Sequence, residues 1–95
     1  MWKGDFRCPE GIAVDAHGNV YVADSEPRNR VIKLSPDGTW LAVWHTPGFR
    51  EGAAGYVQAV AMTRRGRVFV TEIGGEGVPR VVEFSSTGKV RGIWR

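Results

Sequence analysis

Residues 11–24 read Gly11-Ile-Ala-Val-Asp-Ala-His-Gly18-Asn-Val-Tyr-Val-Ala-Asp24, two short apolar runs on either side of a glycine-centred turn. The pattern returns as Ala59-Val-Ala-Met-Thr-Arg-Arg-Gly66-Arg-Val-Phe-Val-Thr-Glu72, with its apolar run set one place off at the start. Gly18 aligns with Gly66, Val20-Tyr21-Val22 with Val68-Phe69-Val70, and Asp24 with Glu72. After a loop that is two residues longer in the second copy, Arg30-Val-Ile-Lys-Leu-Ser-Pro-Asp-Gly38 matches Arg80-Val-Val-Glu-Phe-Ser-Ser-Thr-Gly88. Trp40-Leu-Ala-Val-Trp44 then matches Val90-Arg-Gly-Ile-Trp94. A repeat of this length is one supersecondary unit that needs neighbours to bury its apolar faces.

Each unit holds four strand candidates. They are Gly11 to Asp15, Val20 to Ala23, Val31 to Leu34 and Trp40 to Trp44, then Val57 to Met62, Val68 to Thr71, Val81 to Phe84 and Lys89 to Trp94. Gly18, Gly66, Gly38 and Gly88 mark hairpins, where glycine supplies the positive φ of a tight turn. No segment sustains a 3.6-residue apolar period over ten residues, so the expectation is all-β. Trp2, Trp44 and Trp94 fall at the unit boundaries, which divides a single domain, 1–95, into units 2–44 and 45–95.

The first two strands of each unit are apolar on both faces, as in Ile12-Ala13-Val14 and Val20-Tyr21-Val22-Ala23. A meander with one wet face would alternate apolar and polar residues. Radially stacked four-stranded propeller blades cover both faces.

At this point the pattern resembles the NHL repeat family. The resemblance lies in Pro9-x-Gly11-Ile-Ala-Val-Asp-x-x-Gly18-Asn-Val-Tyr-Val-Ala-Asp24, followed by Asn29-Arg30-Val-x-Lys-Leu and Pro36-Asp-Gly38. The second copy departs from it, lacking the Pro and Gly before its first strand and carrying Glu72 for Asp. The resemblance implies six-bladed propellers that act as scaffolds for protein or RNA binding, with lyases and lactonases among the relatives. A fold does not choose among such functions.

Size and composition set the remaining bounds. Ninety-five residues form one small domain, and a single cysteine, Cys8, provides no disulfide. No stretch is apolar enough to span a bilayer, and Met1-Trp2-Lys3-Gly4-Asp5 does not open a signal peptide. The expectation is a chain without a membrane, and a lone cysteine is compatible with a reducing cytoplasm. The net charge of +3 gives a weak preference for anions. Neither cofactor nor metal is expected, because the two histidines, His17 and His45, stand at unrelated positions.

Particular residues carry further expectations. Asp24 with Arg30, and Glu72 with Arg80, end one strand and open the next in both copies, and so read as structural ion pairs clamping the loop between. Trp2, Trp40, Trp44 and Trp94 read as packing between blades. Cys8 reads as a structural thiol. No set of residues reads as catalytic. In a propeller the loops holding His45, Arg50, Glu26, Arg28 and Glu76 share one face, which makes these the candidates for ligand binding. An RNA-binding variant would use Lys3, Arg7, Arg28 and Arg50, with salt-dependent affinity. An enzyme of the lyase or lactonase type would need His45, Glu26, Glu76 and Arg50 from several chains at a shared channel. A third reading is a fragment that reports how propellers arise from smaller repeats.

Two blades cannot close a ring. Their outer faces would leave apolar patches too large for a soluble monomer, and head-to-tail contacts close rings when the rotation allows. The chain is therefore expected to partner itself, as a dimer, trimer or tetramer, with the trimer matching the family's six blades.

Overall fold

The computed structural model describes residues 6–25, 29–46, 56–73 and 79–95. They form eight strands: β1 (Pro9–Val14), β2 (Val20–Asp24), β3 (Arg30–Leu34), β4 (Trp40–His45), β5 (Tyr56–Met62), β6 (Val68–Ile73), β7 (Pro79–Phe84) and β8 (Val90–Trp94). There is no helix among the described residues. The strands make two four-stranded antiparallel meanders, β1-β2-β3-β4 and β5-β6-β7-β8.

One five-residue turn is used four times, between β1 and β2, β3 and β4, β5 and β6, and β7 and β8. Its first residue is Asp15, Ser35, Thr63 or Ser85, and its fourth is glycine. The first N–H donates to the fifth carbonyl at 2.7–3.0 Å, and the glycine N–H donates back to the first carbonyl at 2.9–3.1 Å. The first side chain accepts a further bond from the fifth N–H, at 2.9 to 3.2 Å. Short polar side chains are suited to this, because they reach backbone donors a few residues on. The glycines stand at φ of 85°, 91°, 86° and 91°, a conformation that side chains oppose.

Register fixes the faces. Ile12 pairs with Val22, and Val60 with Val70, so the two copies align without an offset. Each sheet has a front face, carrying Gly11, Ala13, Tyr21, Ala23, Val31 and Trp44 in the first copy. The equivalents in the second are Ala59, Ala61, Phe69, Thr71, Val81 and Trp94. The back face carries Ile12, Val22 and Ile32 in the first sheet, and Val60, Val70 and Val82 in the second. A bulge changes the parity of β4. Lys33 pairs with Ala42 but Leu34 with Trp40, leaving Leu41 as the extra residue. Trp40 and Trp44, four apart in sequence, therefore point to opposite faces.

The front of the first sheet packs on the back of the second. Tyr21, Ala23, Val31 and Trp44 bury against Val57, Val60, Val68, Val70, Val82 and Phe84. The packing is tapered. At the β1 and β5 end a Cβ on Gly11 would lie only 2.9 Å from the Ala59 Cα. At the β4 and β7 end the Trp44 ring lies 5.9 Å from Tyr21 and 5.4 Å from Phe84. Small residues at one edge and aromatics at the other give the pair of sheets a wedge shape.

Candidate functional site

Asp24 ends β2 with its side chain wholly buried. Its carboxylate accepts backbone N–H bonds from Arg7, at 3.1 and 3.2 Å, and from Cys8 at 2.6 Å. Arg30, which opens β3 as its register partner, supplies Nε at 2.9 Å and a second guanidine nitrogen at 2.8 Å. Both oxygens are thus satisfied, as a buried carboxylate requires. Ser25 adds to the tie, donating its N–H and hydroxyl to the Cys8 carbonyl at 3.0 and 3.2 Å. In the second sheet Arg80 Nε contacts Glu72, which is likewise buried. The structure brings together both pairs singled out in the sequence.

Of the other candidates, His45, Arg7, Cys8 and His17 lie among the described residues. His45 is exposed at the end of β4, where its register partner is Arg30. Arg7 is exposed beside the Asp24 tie. The Cys8 thiol donates to Glu10 at 3.1 Å. His17 is exposed in the first turn. Trp2, Lys3, Glu26, Arg28, Arg50 and Glu76 lie outside the described residues. Among the described residues no group of three or more His, Cys, Asp and Glu is placed to hold a metal ion, and no helix is long and apolar enough to cross a membrane.

The three described tryptophans do different things. Trp44 is only 9% exposed and sits between the sheets. Its indole lies so close to Gly88 that a Cβ there would overlap the ring. Trp40 is on the back of the first sheet, stacked 5.5 Å from Phe6 and 5.5 Å from the Arg30 guanidinium. Trp94, the counterpart of Trp44, is 49% exposed, its ring 6.0 Å from Phe69. Trp2 falls outside the described residues.

Two polar clusters at the turns were not singled out in the sequence. The Tyr21 hydroxyl donates to Asp15 at 3.0 Å. Burial, then the hydrogen bond to Asp15 and its charge, push the Tyr21 phenol up to about 12. Burial pushes the Asp15 carboxyl up, but hydrogen bonds from Asn19, His17 and Tyr21 outweigh it and hold the group below its ordinary value. Arg67 grips Glu83 at 2.6 and 3.1 Å, with its guanidinium 5.2 Å over Phe69. The Arg67 hydrogen bonds, with the charges of Arg67 and Arg91, hold the Glu83 carboxyl low against a smaller effect of burial. The signal for both was hairpin register, which brings residues on either side of a turn onto neighbouring strands.

The largest unsatisfied features are apolar. The back of the first sheet, turned away from the second, exposes Ile12 at 68%, Val14 at 58% and Val43 at 41%, beside the bulged Leu41 at 52%. The front of the second sheet, turned away from the first, exposes Ala59, Ala61 and Trp94. These two faces are the equivalents of the two that meet inside the chain. No curated protein matches the chain. A family model for the NHL repeat matches residues 6–34, which span β1, β2 and β3. This chain carries an NHL repeat in its first sheet, followed by a second four-stranded sheet consistent with a tandem copy.

Proposed function

We propose that the chain is a self-assembling β-propeller unit, whose copies join head to tail into a closed ring that serves as a binding scaffold and takes no catalytic part. One observation carries this reading: the front of the first sheet is buried on the back of the second, while the other front and the other back stay open. Stacking further copies in the same sense, one on each open face, covers both. Ile12 then takes the environment of its counterpart Val60, which is 8% exposed inside the chain. Thr71, exposed here, takes that of Ala23, which is wholly buried. Contacts of this heterologous kind close when the rotation closes, and wedge-shaped packing supplies a rotation. The NHL repeat supports a propeller-like binding or scaffold role. Three chains of two sheets match the six-bladed form implied by the resemblance.

Charge is consistent with the same neighbours. The turns of the first sheet carry Asp15 and Asp37 and no Lys or Arg, whereas those of the second carry Arg64, Arg65, Arg67 and Lys89 and no acid. In a head-to-tail ring these ends alternate in sign around one rim, so that neighbours attract.

Sedimentation equilibrium tests the reading, with an expected mass three times the 10.5 kDa of the chain. Ile12→Arg spoils the open back and Thr71→Arg the open front, and each variant alone should be monomeric. Mixed in equal amounts, they retain one good junction and should form a dimer of one copy each. A wild-type chain that stays monomeric, or variants that still pair with themselves, would refute it.

A further inference from the structure

The inner junction contains a seat for a tryptophan, and the first sheet carries the counterpart positions of that seat on its open side, beside Trp40. Trp44 leans on Tyr21 of its own sheet, at 5.9 Å, and on Phe84 of the next, at 5.4 Å. Its indole covers Gly88, where a side chain would overlap it. Trp94 repeats the first half of this arrangement, with Phe69 in the place of Tyr21 at 6.0 Å. The second half repeats in the first sheet, where Leu34 is the counterpart of Phe84 and Gly38 of Gly88. Gly38 has the same φ of 91° as Gly88, and a Cβ built on it would meet nothing within 4 Å.

We infer that Trp94 of one chain docks on Leu34 and Gly38 of a second copy, and that this contact locks the register between chains. The inference rests on the head-to-tail reading and deepens it. Trp94 is held against Phe69 before docking, so little of its side-chain freedom remains to be lost on association. A half-exposed indole meeting an open glycine is an aromatic anchor in a pocket, the usual form of an interface hot spot. Because Leu34 replaces Phe84, the docked ring gains apolar area from an aliphatic side chain at that position.

The test uses the full chain with benzoylphenylalanine in place of Trp94. Irradiation of a mixture of unlabelled and isotope-labelled copies should give a covalent link to the peptide spanning residues 34–38 of the other copy. In parallel, Trp94→Ala should weaken association roughly thirtyfold, as loss of a hot spot does, and Trp94→Phe should recover part of the loss. Circular dichroism matching the wild type excludes misfolding as the cause. A link that falls elsewhere, or a Trp94→Ala chain that assembles as tightly as wild type, overturns the seat while leaving head-to-tail assembly standing. A wild-type chain that never assembles overturns both.

Discussion

A buried carboxylate has to find donors, and Asp24 finds them in the backbone of Arg7 and Cys8 and in the Arg30 guanidinium. It joins the segment before β1 to β2 and β3 through one side chain. Asp24→Ala leaves Arg30 and two N–H groups without their acceptor, and should cost about 3–5 kcal/mol of stability in urea unfolding. Tyr21 and Asp15 answer to pH. Folding raises the Tyr21 phenol from 10.0 to about 12, so the folded state favours the neutral form. That contribution is complete below pH 10.0 and is lost as pH rises through about 12. Asp15 has the opposite sign: its contribution is present above 3.8 and lost as pH falls below it. Tyr21→Phe should cost about 1 kcal/mol near neutrality. It should also flatten the alkaline decline, as thermal melts between pH 8 and pH 12 would show.

The strands and hairpins were legible in the sequence because the turn chemistry is local. A short polar residue followed three places later by glycine, between apolar runs, specifies each tight turn from its own five residues. Gly88 adds a long-range demand to the local one, since Trp44 covers it, and Gly38 has only the local one. Gly38→Ala should therefore cost about 1–3 kcal/mol of backbone strain in the isolated chain, and Gly88→Ala about 1–3 kcal/mol more for displacing the indole. Thermal unfolding of the two variants at equal, dilute concentration makes the comparison. The pairs Asp24 with Arg30 and Glu72 with Arg80 were legible because the repeat displays them twice. Which face packs inward was not, since Ile12, Ala13 and Val14 are apolar on both sides. Nor was the fate of Trp40. Simple alternation puts it on the same face as Trp44, and only the extra residue at Leu41 turns it to the back, onto Phe6 and Arg30.

Taken whole, the molecule is a stack of two sheets, 36 × 29 × 18 Å in extent, with both ends of the stack apolar. The Asp24–Arg30 bonds close within one sheet, whereas the apolar ends stay open. A ring made from such stacks holds an even number of sheets whatever its circumference. In the proposed ring the circumference would depend on the close approach of Gly11 to Ala59. Sheets set as spokes meet at an angle fixed by how near they come at the hub and at the rim. Inside the chain the hub contact is a bare glycine against the Ala59 backbone. Between chains of the proposed ring the same contact would present the Ala59 methyl to Gly11, so the hub would be held wider there and the spokes would stand more nearly parallel. Ala59→Gly should open that angle toward the internal one, and native mass spectrometry should show a shift toward rings of fewer chains. In the proposed ring one methyl group at the hub would thus act as a shim, and the number of chains would follow from its thickness.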